Sequence, residues 1–244
     1  MKKFALPLLF SLLLQSVSYA GGIDGYVVFG SHFDGDDAAQ SATDFSTAQA
    51  AKTITFVGNE QLDTAQKKFG TASVLSDNVG DYLSLADSAD WDFGTGDWTV
   101  DFWLRLNGTG FQGFFGGGNA STGNYYAFEY VVGQLILFVT GAATILSPSW
   151  SPNTGQQYHV ELGRSGTTTK LFIDGTAIAT NSSDSTDYGA GTAGFFVGDR
   201  GDHVLFTDGW IDEFRVSKGI CRHTSDFTPE TAAYSGPRRI VRVN

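Results

Sequence analysis

Residues Gly80–Leu106 read GDYLSLADSADWDFGTGDWTVDFWLRL, and the second half of this stretch decides the fold. From Trp98 to Leu106, the residues Trp98, Val100, Phe102, Leu104 and Leu106 fall on one side of an extended chain. Thr99, Asp101, Trp103 and Arg105 fall on the other. This sustained period-two alternation predicts a strand with one buried face. A strand so long and so apolar on one side requires a second sheet to cover it.

The flanking sequence supplies that cover. Upstream, Gly25–Phe33, Thr53–Val57, Ser73–Leu75 and Asp81–Leu85 read as strands, and Gln61–Phe69 reads as at most a short helical turn. Downstream, strand patterns cover Phe111–Phe115, Tyr125–Val131 and Gln134–Val139, the last two joined at Gly133. Tyr158–Arg164 and Lys170–Asp174 follow, and Asp174-Gly175 marks a hairpin into Thr176–Thr180. Phe195–Gly198 and Trp210–Ser217 close the series. Many short strands, Gly-rich turns and no alternation of strands with helices predict an all-β, antiparallel two-sheet jelly-roll sandwich.

Composition agrees. The chain has 244 residues with 31 Gly, 5 Pro and 14% aromatics, enough for one β domain with a sizeable core. Lys2 and Lys3, the apolar run Phe4–Leu14 and the small residues at Ser18-Tyr19-Ala20 predict a signal peptide over residues 1–20, with an uncleaved anchor helix as the alternative. The apolar run is too short to span a bilayer. The formal charge of −11 becomes −13 without the two lysines, a balance that repels phosphate backbones and argues against nucleic acid as a partner. Cys221 is the only cysteine, so no internal disulfide forms.

Three stretches carry a family resemblance: His32-Phe33-Asp34-Gly35, the Gly80–Leu106 block, and Gly209–Pro229, GWIDEFRVSKGICRHTSDFTP. Lys68-Phe69-Gly70 and Leu171-Phe172-Ile173-Asp174-Gly175 fit in order between them. Together they resemble the laminin-G-like, concanavalin-A-like lectin/glucanase jelly-roll domains of bacterial surface proteins and phage tail or fibre proteins. The resemblance runs from Gly25 to Pro229 and gives a domain over residues 21–229 with a basic tail, residues 230–244, that includes Arg238, Arg239 and Arg242. Cys221 and His223 depart from the small and aromatic residues usual there.

The resemblance implies a structural calcium ion held by Asp34 and Asp212, with the Gly70 carbonyl. In Trp210–Val216, alternation puts Trp210, Asp212, Phe214 and Val216 on one face, so Asp212 is expected to point inward among core aromatics. A carboxylate there needs a cation or several donors, and capping a turn or accepting backbone amides is the alternative to a metal. Trp103, flanked by Asp101 and Arg105 on the polar face of the central strand, is a candidate sugar-stacking residue unless a loop covers it. Tyr125 and Tyr126, with Trp150, Tyr188 and the Gly198–His203 turn, are further candidates at the loop end.

Catalysis finds little footing. No strand carries paired carboxylates on one face, and Asp212 and Glu213 alternate. The histidines His32, His159, His203 and His223 lack metal spacing, and no Gly-x-Ser-x-Gly elbow occurs. The sequence therefore points to a non-enzymatic, secreted or surface-displayed module that binds glycan or another cell-surface ligand. A structural role in a virion or surface fibre, with homo-oligomeric assembly, is the alternative, and glycan cleavage a weaker one.

Overall fold

The computed structural model describes residues 22–119, 124–142, 144–189 and 194–236. The expected signal peptide, residues 1–20, and the Arg238, Arg239 and Arg242 cluster lie outside them. Among the described residues no helix is long and apolar enough to cross a membrane.

The regular structure of the described chain is almost wholly strands: β1 (Val27–Ser31), β2 (Ile54–Val57), β3 (Gln61–Asp63), β4 (Ser73–Asp77), β5 (Tyr82–Leu85), β6 (Trp98–Leu106), β7 (Gln112–Asn119), β8 (Asn124–Val131), β9 (Gln134–Val139), β10 (Gln157–Ser165), β11 (Thr168–Ile173), β12 (Thr176–Asn181), β13 (Phe195–Val197) and β14 (Asp208–Lys218). They form two antiparallel sheets. The larger has the order β12-β11-β10-β6-β14-β4-β3, with β1 also paired to β14; the smaller has the order β2-β5-β13-β7-β8-β9. The expected helical turn at Gln61–Phe69 is instead a short strand, β3, followed by turns, because Gln61–Asp63 pairs with Ser73–Leu75 of β4.

The predicted strand Trp98–Leu106 is β6, at the middle of the larger sheet between β10 and β14. Its inward residues Trp98, Val100, Phe102, Leu104 and Leu106 all belong to the hydrophobic core. Phe102 stacks on Phe214 of β14 at 5.3 Å and meets Phe115 of β7 edge-on across the sandwich. Burying each such ring contributes about 1.5–3 kcal/mol. The 3-10 turn Ala89–Trp91, capped by Ser88, places the Trp91 ring in the same core against Phe29 and Phe195.

One strand departs from simple alternation. β14 pairs with β6 through Asp212↔Trp103 and then Arg215↔Asp101, so a bulge lies between them, and Glu213 adopts φ +50°. The bulge inserts an extra residue and reverses the side-chain phase. Ile211, Phe214 and Val216 therefore face the core, while Asp212 lies on the outer face beside Trp103. The expectation that Asp212 shares an inward face with Phe214 and Val216 is corrected accordingly. The bulge falls where the free side of β14 passes from β4, paired at Asp208–Ile211, to β1, paired at Phe214–Ser217.

The fold also continues beyond Pro229. Tyr234 is buried on the outer face of the larger sheet, and Ser235 bridges Gly22.

Candidate functional site

The centre of the outer face of the larger sheet, around Trp103 and Asp101, is sealed. Trp103 is buried beneath the Lys68–Phe69 turn, with the Phe69 ring edge-on at 5.8 Å and the Lys68 ammonium 3.7 Å from the indole centroid. Asp101 is fully buried and grips Arg215 at both ends, Nε to Oδ1 at 2.9 Å and Nη2 to Oδ2 at 2.7 Å. Tyr234 donates its hydroxyl to the same carboxylate. Burial raises the Asp101 carboxyl, but the charges of Arg215 and His159 outweigh it and hold the group well below the usual carboxylate range. Arg105 donates to the Gly155 carbonyl at 3.0 Å and stacks over Trp210. Of the two readings of this face, a covering segment is the one the structure holds, so Trp103 and Asp101 offer no surface to a sugar.

Asp34 and Asp212 meet the same turn from different sides. Asp212, almost fully buried, accepts backbone N–H bonds from Lys68 at 2.6 Å, Phe69 at 3.0 Å and Glu213 at 2.8 Å. Burial pushes its carboxyl up to about 7 against the pull of those amides. Asp34 accepts from the Thr71 amide and from the Thr71 hydroxyl. Calcium wants roughly six to eight oxygen ligands. Here the turn aims N–H groups at Asp212, and among the described residues no three His, Cys, Asp or Glu side chains are grouped to hold a metal. The donor set fits amide capture better than calcium.

Tyr126 faces inward and donates its hydroxyl to the Trp91 carbonyl at 2.9 Å, so it is a core residue. Its neighbour Tyr125 points to the opposite, outer face of the smaller sheet and packs edge-on against Phe138. Burial raises the Tyr125 hydroxyl, and the Asp202 charge adds to it.

That second face is open and chemically mixed. The segment Asp199–Phe206 lies flat on β7, where the sequence QGFFGGGN places glycines outward. A Cβ on Gly113 would come within 2.3 Å of the Leu205 carbonyl, and one on Gly116 within 2.1 Å of the Arg200 carbonyl. Only glycine permits that approach. A bulge between Gly113 and Phe115 lets both Phe114 and Phe115 enter the core while Gly113 and Gly116 stay outside.

The loop holds its own shape. Buried Asp199 accepts the Gly201 amide at 3.0 Å and the His203 amide at 3.2 Å, and bonds the His203 ring at 2.5 Å. Burial raises the Asp199 carboxyl despite these bonds. Arg200 is thereby aimed across β8. It donates to Glu129 at 2.9 Å and forks onto Asp202, with its side chain 20% exposed. His203, whose side chain is 46% exposed, stacks on Tyr82 at 4.8 Å, while Phe196 meets both rings edge-on. Phe206 lies parallel to Tyr82 at 6.0 Å. A charged fork beside half-exposed rings can donate to hydroxyl groups and stack on a ring face.

Of the five residues expected to bind ligand, Trp103, Asp101, Arg105, Tyr125 and Tyr126, the structure brings only Tyr125 to this face. The Gly198–His203 turn, which carries Arg200 and Asp202, was among the loop candidates, whereas Glu129, Tyr82, Phe196 and Phe206 were not legible as part of a site. The available signal was the glycine run of β7, which marks a strand that another backbone approaches closely.

Comparison with known proteins gives the same architecture. Domain 4 of AbnA, an extracellular arabinanase from Geobacillus stearothermophilus solved in complex with arabinotriose, superposes with a TM-score of 0.60 at 20% identity, covering 80% of this chain and 93% of that one. The ligand-binding domain of botulinum neurotoxin serotype D, in complex with N-acetylneuraminic acid, superposes with a TM-score of 0.60 at 13% identity, covering 82% of this chain and 49% of that one. The binding domain of Paraclostridial Mosquitocidal Protein 1 superposes with a TM-score of 0.56 at 14% identity, covering 81% and 50%. The chain thus spans about half the length of the toxin domains it matches. A search of curated protein sequences finds no match. The model of one family, a laminin-G type of the concanavalin A-like lectin/glucanases superfamily, matches residues 77–222, more than half the chain, and the protein belongs to that family.

Proposed function

We propose that the chain is a secreted, non-catalytic module that binds glycan on the outer face of the smaller sheet. The observation that carries this reading is the Asp199–Phe206 loop, laid on glycine backbone so that Arg200, Asp202 and His203 stand beside Glu129, Tyr125 and Tyr82. The sugar ligands named for the arabinanase domain and the serotype D toxin domain support it. In this reading, Arg200 and Asp202 bond sugar hydroxyls, and the half-buried Tyr82 and exposed His203 rings carry the apolar ring face, with buried Tyr125 supporting the site from below. Glu129 and Asp202 both accept from the Arg200 guanidinium, so each carboxylate is held as an ion-pair partner. A glycan array with wild type, Arg200→Met and Tyr125→Ala tests it. Binding by wild type that both variants lose supports the site, and equal binding by all three moves the ligand elsewhere. Reducing sugar released from a bound polysaccharide would replace binding with cleavage.

Secretion rests on the Lys2–Ala20 pattern, and intact mass of exported protein beginning at Gly21 tests it. Calcium at Asp34 and Asp212 is tested by melting with and without chelator. With Asp212 held by amides, the expected shift is under about 1 °C, and a drop of several degrees that Asp212→Asn abolishes would place an ion there.

The assembly reading draws on a different observation. Val79, Phe111, Val132 and Val204 are exposed at 54–75%, all on loops at the end of the sandwich where β6 finishes and β7 and β14 begin. Concentration-dependent mass by sedimentation, reversed by Phe111→Ser with Val204→Ser, is the outcome that favours assembly over a monomeric binding module.

A further inference from the structure

A second recess lies on the larger sheet, away from the Arg200 loop. It has a volume of about 260 Å³ and is lined by Gly163, Ser165, Thr168, Lys170, Cys221, His223 and Thr224. One wall is the β10–β11 hairpin, in which Gly163 pairs with Lys170 and Ser165 with Thr168, so these residues share an outward face. The other wall is the segment after β14, tied across the sheet by Thr99, which donates its hydroxyl to the Ile220 carbonyl at 3.0 Å and accepts the Arg222 amide at 2.9 Å. Lys170 closes the rim by donating to the Thr224 carbonyl at 2.6 Å.

The recess is kept open by one residue type. A Cβ on Gly163 would lie 2.9 Å from the Cys221 sulfur. His223 is fixed from behind: it stacks flat on Phe227, with centroids 3.6 Å apart, and bonds buried Glu161 through Nδ1 at 2.8 Å. The other Glu161 oxygen has no partner among the described protein atoms, so the wall behind His223 retains acceptor capacity. Cys221, His223 and Glu161 resemble a nucleophile, base and orienting acid in order. However, burial, with the Glu161 and Asp97 charges, pushes the thiol up to about 12, and its sulfur is bonded to the His223 carbonyl. Cys221 is therefore a neutral wall and no nucleophile.

We infer that this recess binds a single neutral, hydroxyl-rich ring of monosaccharide size. Its volume falls just below the roughly 300–1,000 Å³ of sites for drug-sized ligands. Its lining mixes donors and acceptors from Ser165, Thr168, Thr224, Lys170 and His223, which suits groups that both donate and accept. The Glu161 carboxyl lies directly behind His223, so an anion would meet like charge despite Lys170.

Because His223 lines the recess, its ring reports on it. The experiment follows the His223 ring resonances of the native protein by 1H–13C NMR during titration with D-glucose, D-galactose, L-arabinose or D-glucuronate to 50 mM. At least one neutral sugar is expected to shift them saturably, with glucuronate weaker. Lys170→Met and Ser165→Leu are expected to abolish the shift, and Arg200→Met to leave it intact. Unchanged melting of the Lys170→Met protein confirms that the fold is kept. No shift with any neutral sugar, a stronger shift with glucuronate, or a shift that survives Ser165→Leu overturns the inference.

Discussion

The two outer faces of the sandwich carry similar chemistry and put it to opposite uses. On the larger sheet, Asp101, Arg215 and Tyr234 lie in a sealed layer beneath the Lys68–Phe69 turn and the chain after β14. On the smaller sheet, Arg200, Asp202 and Glu129 form an equally dense group of charge, but Arg200 stays partly in water beside half-exposed rings. Alternation along a strand determines which side chains leave the core. It does not determine whether another part of the chain then covers them.

The strongest way to break the comparison is to remove one cation from each face. Arg215→Met leaves the buried Asp101 carboxylate with only Tyr234 and His159 beside it and is expected to cost about 3–5 kcal/mol. For a domain of this size that lowers the melting temperature by roughly 6–20 °C. Arg200→Met removes a partly solvated cation and is expected to cost under about 1 kcal/mol. Equal losses in thermal melts would show that the two faces are energetically alike.

Asp212 sharpens the comparison through pH. Its carboxyl is raised to about 7 in the folded chain, whereas an unfolded aspartate titrates near 3.9. Between those values the folded state holds a proton that the unfolded state has lost, so this contribution to stability falls as pH rises from about 4 to 7 and is level above that. Relative to Asp212→Asn, wild type should lose on the order of 2–4 kcal/mol across that window, read from denaturant midpoints. A difference that stays flat, with the Asp212 carboxyl carbon titrating near pH 4 by NMR, would mean that the face is wetter than the geometry shows.

Gly116→Ala tests the open face from beneath. The added methyl meets the Arg200 carbonyl, so the loop must lift, at about 1–3 kcal/mol. Glycan affinity should fall at least tenfold in titrations, as far as with Arg200→Met. Retained affinity would show that the loop's placement on β7 is incidental to binding.

Much of the fold was legible because the inward faces are local patterns. Trp98–Leu106 and Gln134–Val139 appear as strands with the bounds that alternation gives, and Asp174-Gly175 turns with positive φ at both residues, as such a hairpin requires. The site was less legible because it depends on long-range contacts. The bulge at Glu213 forms where β14 changes partner from β4 to β1, which residues Trp210–Val216 do not reveal by themselves. Trp103 looked available because its cover, Lys68 and Phe69, comes from a distant turn. Tyr125 and Tyr126 were named together as candidates, but neighbours on a strand face opposite ways, and Tyr125 is the one on the outer face.

The bridge between Gly22 and Ser235 has a consequence for how the module can be mounted. Ile23 donates its amide to the Ser235 carbonyl at 3.0 Å, and Arg215, whose other nitrogens hold Asp101, donates to the Gly22 carbonyl at 3.0 Å. Both strands of chain thus leave from one spot on the back of the larger sheet, opposite the Arg200 loop. Cargo fused at either position would hang behind the sandwich with the open face turned outward. The same proximity makes the domain a candidate for circular permutation, with a short linker joining the two ends and new termini cut at the exposed Gly166-Thr167 turn.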